Sequence, residues 1–204
     1  LPASNLKTEF DSYQYINEEK FNLLNLGRLW VGDAFTGNKT ITLTPEYPIK
    51  SGSLFRYRYN IIANNGNANS IEVKLNNNSI SSLVFSGTDL SSLWRSNLIN
   101  NVGGSEVKFE FIPNTSANPG GWFYLNYVEI QYKQDLNFNN TQMNFRDFSI
   151  AEGSNDTYGF SINNAAQIDR VWDVSDHTNS KKITNKSTSS SHFDFGYVAN
   201  STIF

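Results

Sequence analysis

GGWFYLNYVEIQY, residues 120–132, is the most aromatic run of the chain. Read with the two-residue period of a β-strand, its positions fall into two alternating sets. One set is Trp122, Tyr124, Asn126, Val128, Ile130 and Tyr132, and the other is Phe123, Leu125, Tyr127, Glu129, Gln131 and Lys133. The run is apolar on both faces up to residue 127 and alternates cleanly beyond it, which is typical of a strand that leaves the centre of a sheet. The stretch therefore predicts a central strand, entered through a turn at Gly120-Gly121.

Shorter alternating runs lie before this strand. Residues 55–61 and 71–75 alternate around an Asn-rich turn and predict a hairpin, and residues 40–44, 80–85 and 107–111 predict three more strands. Runs of asparagine separate the apolar segments and predict turns, because asparagine tolerates a positive φ. Short strands at close intervals, with no long helix between them, predict an all-β chain: an antiparallel β-sandwich or jelly roll of the galactose-binding-like type.

The pattern divides the chain into three regions. We assign residues 1–26 to an N-terminal extension, 27–135 to the β-sandwich and 136–204 to a smaller β region. The last region is short for an independent core, so we expect it to share a sheet with the sandwich or to lead into a domain beyond Phe204. Leu1 is not a start methionine and Phe204 ends an apolar phrase. We therefore expect the sequence to be a fragment of a longer chain.

Composition excludes several classes of function. With 204 residues, 38% of them hydrophobic and 14% aromatic, the chain can bury a core. Only 17% are charged and the net charge is −3, so nucleic acid is not an expected partner. Zero cysteines exclude a disulfide framework, a thiolate metal site and a cysteine nucleophile within this sequence.

Candidate catalytic residues are few. The two histidines, His177 and His192, lie in segments rich in serine, threonine and asparagine that predict loops. Asp169, Asp173 and Asp176 form a carboxylate cluster, and paired carboxylates serve glycoside hydrolysis or bind hard cations. We interpret them instead as turn residues that accept hydrogen bonds from backbone amides. The sequence therefore predicts no catalytic residue, no metal ligand and no cofactor.

The four tryptophans divide into core and surface candidates. Trp30, Trp122 and Trp172 lie in apolar segments, and together with Tyr127 we assign them to the structural core. Trp94 precedes Arg95 in what we interpret as a connection between strands. A tryptophan ring at such a place is a possible ligand platform for stacking against a sugar.

Three phrases together carry a family resemblance. They are LGRLWVGDAF at residues 26–35, GWFYLNYVEI at 121–130 and RVWDVSD at 170–176. In order and spacing they resemble the segment before the catalytic domain in the type IX secretion system sortases, a family of gingipain-like cysteine peptidases with the patterns G-R-x-W-x-G-E-x-F, W-x-x-x-D-Y-I-E-I and V-W-D-V-T-D-P. Three positions depart from those patterns: Asp33 replaces glutamate, Asn126 replaces aspartate and His177 replaces proline.

The resemblance implies a non-catalytic scaffold and interaction region of a large surface peptidase. Such a protein removes C-terminal signals from exported cargo and joins the cargo to a surface glycolipid, with its catalytic cysteine and histidine beyond Phe204. This fragment would itself be no enzyme. Its expected partners are the downstream peptidase domain of the same chain and other secretion-system surface proteins or glycolipid, on the extracellular side of a bacterial outer membrane.

Two other functions remain open. One is a carbohydrate-binding module of a bacterial surface protein, with Trp94 or nearby tyrosines as its platform. The other is an independent hydrolase, for which the chain offers the weakest support.

Overall fold

The computed structural model describes residues 6–25, 27, 29–65, 67–87, 89–150 and 156–199. The strands are β1 (Leu6–Lys7), β2 (Glu9–Asn17), β3 (Phe21–Asn22), β4 (Trp30–Val31), β5 (Lys39–Leu43), β6 (Phe55–Asn64), β7 (Ser70–Leu75), β8 (Asn78–Val84), β9 (Ser91–Ile99), β10 (Val107–Asn114), β11 (Trp122–Asp135), β12 (Thr157–Asn163), β13 (Val171–Asp173), β14 (Lys181–Ile183) and β15 (His192–Val198). Short 3-10 helices span Phe148–Ile150 and Ala165–Gln167. In the described ranges, no helix has the length and hydrophobicity needed to cross a membrane. The predicted all-β class is confirmed.

The chain forms two compact units with boundaries that differ from the predicted ones. Tyr13–Tyr132 form one unit, here called the sandwich, and Leu1–Ser12 with Lys133–Phe204 form the second unit. The region predicted as an N-terminal extension is therefore divided between them. The physical reason is that β2 is hydrogen-bonded beside β11 in a sheet, so its residues are part of the fold and do not extend from it.

The sandwich contains two four-stranded sheets. Their strand orders are β5-β10-β7-β8 and β2-β11-β6-β9. Strand β11 lies between β2 and β6, which confirms the central strand predicted from residues 120–132. The predicted hairpin of 55–61 with 71–75 is wrong, because β6 pairs with β9 and β11 whereas β7 pairs with β8 and β10. Each segment has an apolar face to bury. In a sandwich the two sheets bury such faces against each other, so the two segments belong to different sheets and still share one core.

Alternate side chains of both sheets fill that core. Tyr59 lies edge-on to Phe111 with ring centroids 5.6 Å apart, and Phe85 contacts Phe123 at 5.4 Å. Aromatic pairs at these distances stabilise a core beyond the area that they bury. The largest fully buried side chains are Tyr57, Tyr59, Phe55, Phe85, Phe109, Phe111, Phe123, Ile61, Ile62, Ile71, Leu83 and Leu125.

Asparagines form the predicted turns. Positive φ angles occur at Asn65, Asn76, Asn77, Asn101 and Asn140, which are members of the asparagine runs. The turn before β11 is held by the Asn118 side chain, whose amide nitrogen donates to Asn65 O at 2.7 Å. Gly121 is required there, because an added Cβ would lie 2.5 Å from the Asn69 amide.

The second unit has a sheet of its own. Its order is β1-β12-β15, with β1 parallel to β12 and β12 antiparallel to β15. Phe160 stacks on Phe195 with centroids 5.0 Å apart, and Phe145 packs against both rings. A separate hairpin joins β13 to β14.

Candidate functional site

Two of the carboxylates weighed as catalytic candidates bond to backbone amides in turns, and the two histidines lie in different elements. Asp173 accepts a hydrogen bond from Ser175 N at 3.0 Å, and Asp176 accepts one from Thr178 N at 2.9 Å. Hydrogen bonds from Thr178 hold the pKa of Asp176 below its usual value. His177 is exposed in a turn, whereas His192 belongs to β15 and not to a loop. In the part of the chain that the structure describes, no three His, Asp or Glu side chains are placed to hold a metal ion.

A β-bulge in β11 determines what its outer face displays. Leu125 pairs with Ile61 and Tyr127 pairs with Asn60, so Asn126 is an extra residue. An extra residue exchanges the two faces of a strand. Phe123 and Leu125 point into the core before the bulge, and Val128 and Ile130 do so after it. Trp122, Tyr124, Tyr127 and Glu129 consequently share the outer face.

Rings from three strands collect on this outer face of the β2-β11-β6-β9 sheet. We call it the aromatic face and define it by Tyr13, Tyr15, Trp94, Trp122, Tyr124 and Tyr127. Tyr13 and Tyr15 belong to β2, Trp94 to β9 and the other three to β11. Trp94 is the most exposed of the aromatic side chains, at 61%.

One row of side chains crosses the whole sheet. Tyr127 pairs with Asn60, and Asn60 pairs with Trp94 on the next strand. On the other side of β11, Tyr15 stacks on Tyr127 with ring centroids 5.8 Å apart and an interplanar angle of 28°. Tyr15, Tyr127, Asn60 and Trp94 therefore form a continuous row, one residue from each of the four strands.

Asn60 fixes the centre of this row. It is 6% exposed, and its side-chain nitrogen donates to Ser92 Oγ at 2.9 Å and to Leu93 O at 3.0 Å. Its side-chain oxygen accepts from Asn126 Nδ2 at 2.9 Å. The bulge residue is thus tied to the sheet by a side-chain amide, which an aspartate at position 126 could not supply.

An ion pair lies beside the row. Arg58 Nε is 2.7 Å from Glu129 Oε1, and a second guanidinium nitrogen donates to Oε2 at 3.0 Å. Such two-point pairs are strong and fixed in orientation. The Tyr13 hydroxyl also donates to Glu129 at 3.3 Å, and the Arg58 guanidinium lies 5.4 Å from the Tyr127 ring centre. Burial, with the Glu129 charge added to it, raises the pKa of Tyr13 above its usual value.

Strand β9 is the edge of the sheet and is partly capped by its own side chains. Arg95 donates to Trp94 O at 2.9 Å, and Asn97 Oδ1 accepts from Leu98 N at 2.8 Å. The connection predicted around Trp94 is therefore wrong, since the segment is a nine-residue strand. Its exposure is that of an edge strand, which has a neighbour on one side only.

The assignment of three tryptophans to the core is also wrong. Trp30 and Trp122 are each 39% exposed, and Trp172 is 50% exposed. Trp122 faces outward because the bulge places its neighbour Phe123 in the core, and its indole nitrogen donates to the Tyr124 hydroxyl at 2.9 Å. Trp30 donates to Gly27 O at 3.3 Å from a two-residue strand. Tyr127, assigned to the core with them, is half-buried on the aromatic face.

Trp172 belongs to a second apolar surface, a groove in the second unit. The groove has a volume of about 1220 Å³, and Phe148, Trp172, Phe160 and Ile183 are among the side chains that line it. Trp172 is exposed because it lies on the two-stranded β13-β14 hairpin, which has no further strand beside it in its sheet.

The sequence predicts the aromatic face only in part. It marks Trp94 as a possible platform but assigns Tyr13, Tyr15 and the Arg58–Glu129 pair to no site. Alternation alone places Tyr124 and Val128 on one face, so it cannot detect an inserted residue. Asparagine at position 126, amid apolar and aromatic residues, is the available clue to the bulge.

Comparison with solved structures agrees with the all-β fold. No protein-family model matches the sequence, and no curated protein matches it significantly. Among solved structures, dimeric latent PorU from Porphyromonas gingivalis matches 98% of this chain with a TM-score of 0.77 and 18% identity. The match covers 20% of the PorU chain. The two chains therefore share a fold over nearly the full length of this sequence, which spans about a fifth of PorU.

Carbohydrate-binding modules give weaker matches. The CBM36-1 domain of a multidomain xylanase from the hindgut metagenome of Trinervitermes trinervoides has a TM-score of 0.36 and 19% identity, covering 60% of this chain and 94% of its own. A CBM36 module in complex with calcium and xylotriose has a TM-score of 0.38 and 12% identity, covering 57% and 98%.

Proposed function

We propose that this chain is a non-catalytic β-sandwich region of a type IX secretion sortase-like surface peptidase, in which it acts as scaffold and interaction surface. The observation that carries the proposal is the fold likeness to PorU over 98% of the chain. A likeness of this extent includes residues of both units, whereas a match to a common sandwich fold would be confined to one of them.

The positions of the three phrases support the same proposal. The second phrase lies in β11 and the third includes β13. The first runs beside the second, because Gly32 N donates to Leu125 O at 3.1 Å and Phe35 N donates to Phe123 O at 2.8 Å. Its Leu26 and Arg28 lie outside the described residues. Asp33, a departure from the family pattern, keeps a carboxylate that is 2.5 Å from Lys20 Nζ.

Peptidase chemistry would reside elsewhere in the longer protein. This sequence contains no cysteine, and its match spans a fifth of PorU. The proposed partners are a peptidase domain of the same chain and other secretion-system surface proteins or glycolipid. The proposed location is the extracellular side of a bacterial outer membrane.

The test is to determine the coding sequence that follows Phe204 in the gene and to assay the full-length product. We expect a gingipain-like domain with a catalytic cysteine and histidine, and thiol-sensitive removal of a C-terminal signal from a cargo protein. The 204-residue chain alone should give no turnover. A gene without such a domain, or signal removal by the isolated chain, would contradict the proposal.

A further inference from the structure

We propose that the aromatic face binds an uncharged oligosaccharide of β-linked, flat sugar units, laid across the strands over the row Tyr15, Tyr127, Asn60 and Trp94. This role goes beyond that of a scaffold. It rests on the geometry of the sandwich and does not depend on the presence of a peptidase domain.

The row has the geometry of an extended platform. Adjacent strands are about 4.8 Å apart. Tyr127 and Trp94 lie two strands apart, so they are separated by about 10 Å, with the buried Asn60 side chain between them. Tyr15 extends the row on the other side of Tyr127. Because Tyr15 stacks on Tyr127 and the Arg58 guanidinium lies over the same ring, Tyr127 acts as a spacer, and the exposed rings of Tyr15 and Trp94 are the ones that stack on a sugar. Because the members are fixed on four hydrogen-bonded strands, the platform is formed before a ligand arrives and little order is lost on binding.

The side-chain chemistry fits a sugar. A flat pyranose ring presents C–H groups on its faces and hydroxyls around its rim, so it stacks on aromatic rings and hydrogen-bonds to polar groups beside them. The Tyr13 hydroxyl, whose oxygen can also accept, and the half-exposed Arg58 guanidinium offer those polar groups next to Tyr127. Trp94 supplies both features, since its ring is exposed and its indole N–H has no acceptor among the described residues.

Charge favours an uncharged ligand. The row itself contains no ionisable group that is charged at neutral pH, and burial raises the pKa of Tyr15 further from neutrality. In the neighbouring row the Arg58 charge is compensated by Glu129. On a chain whose net charge is −3, the row therefore offers a ligand stacking surfaces and hydrogen bonds but no charge of its own.

The edge of the sheet disfavours a peptide strand as the occupant. Strand addition needs free backbone groups along β9. Trp94 O and Leu98 N are already bonded to the side chains of Arg95 and Asn97. A ligand that lies on the face and not along the edge avoids the loss of these bonds.

Calorimetric titration of the whole chain with cellohexaose and fully N-acetylated chitohexaose, both uncharged, tests the proposal. We expect at least one of them to bind, and Trp94→Ala and Tyr15→Ala each to weaken that binding roughly tenfold. Trp94→Phe, which keeps a ring, should retain part of the affinity. Trp172→Ala is the matched control, because it removes another exposed tryptophan, one that belongs to the second unit. Its affinity should equal that of the unaltered chain.

A second readout separates lost binding from lost folding. In spectra of the 15N-labelled chain, the sugar should shift the Trp94 indole signal and the side-chain amide signals of Asn60 and Asn126. Failure of both sugars to bind at millimolar concentration would overturn the proposal. So would binding that survives Trp94→Ala and Tyr15→Ala in folded variants, or signal changes confined to the second unit. The downstream gene sequence is unaffected by these outcomes, so the two proposals fail separately.

Discussion

The two outer faces of the sandwich differ although they cover the same core. On the β5-β10-β7-β8 sheet, most outward positions are threonine, serine, lysine and glutamate, with an ion pair of Lys108 with Glu110 at 3.0 Å, although Val84 is also exposed. On the β2-β11-β6-β9 sheet, tyrosine and tryptophan share the outward positions with polar and charged side chains such as Arg56 and Arg58. A solvated face needs only polar side chains, whereas exposed rings lower solubility and are a feature of binding surfaces. This difference is why the proposed ligand is placed on the β2-β11-β6-β9 sheet.

The ion pairs on the two outer faces also differ. Lys108 and Glu110 are 38% and 24% exposed and lie on one strand, where water screens their attraction. Glu129 is only 12% exposed and receives bonds from Arg58 and Tyr13. The charged pair of the aromatic face is therefore expected to fix the positions of rings, while the pair on the other face contributes mainly to hydration.

The largest expected effect tests which side of β11 faces inward. Phe123→Ala should lower the free energy of unfolding by about 3 to 5 kcal/mol, because it empties a fully buried ring site. Trp122→Ala should lower it by under about 1 kcal/mol, since this neighbour lies on the aromatic face. Urea unfolding of both variants measures the difference. Equal losses would contradict the assignment of Phe123 to the core and of Trp122 to the aromatic face.

A smaller effect distinguishes the two ion pairs. Glu129→Gln should destabilise the chain by about 1.5 to 3 kcal/mol, because the Arg58 guanidinium loses a charged, two-point acceptor. Glu110→Gln on the other face should cost less than about 1 kcal/mol. Chemical denaturation at low and at moderate salt checks both values, with salt reducing only the Glu110 effect. A Glu129 effect no larger than that of Glu110 would remove the energetic contrast between the faces.

The sequence predicts which segments form strands and turns better than it predicts which side chains of a strand face the core. Alternation identified the central strand, and the asparagine runs identified turns, because both signals are local in the chain. The assignment of Trp122 and Tyr127 to the core failed since one inserted residue, Asn126, exchanges the faces in the middle of β11. The pairing of β6 with β9 and β11 is likewise set by how two sheets share a core, which no local pattern encodes.

The sequence predicts only part of the aromatic face, because only some of its residues are marked by a local pattern. Trp94 stands out in the sequence because a polar segment surrounds it. Tyr15 and Glu129 become site residues only when β2 and β11 lie side by side, 112 positions apart in the chain for Tyr15 and Tyr127. Trp172 was misplaced because its apolar flanks resemble a core strand, whereas the hairpin that carries it has two strands only.

Tyr59, which is buried in the core beneath the aromatic face, should make the stability of the chain depend on pH. Burial raises the pKa of Tyr59 to about 12, an effect that its hydrogen bond with Ser81 lowers only in part. The unfolded chain releases this proton near pH 10. Stability from Tyr59 is therefore complete below pH 10 and is lost as pH rises toward 12, where the folded group ionises. Denaturation between pH 9 and 12 should show this loss, and Tyr59→Phe should reduce it. The same slope in both proteins would contradict the assignment.

The smallest expected effect on stability is that of Trp94→Ala. The ring is 61% exposed, and its truncation leaves no cavity, so the free energy of unfolding should change by less than about 0.5 kcal/mol. Trp172→Ala should behave similarly, because half of that ring lies in solvent, although the sequence pattern alone assigns it to the core. Thermal unfolding of both variants, beside Phe123→Ala as the buried reference, measures the order of effects. A large drop for Trp94→Ala would mean that the ring supports the edge strand β9 and is not free to serve a ligand. A large drop for Trp172→Ala would mean that the β13-β14 hairpin holds the second unit together.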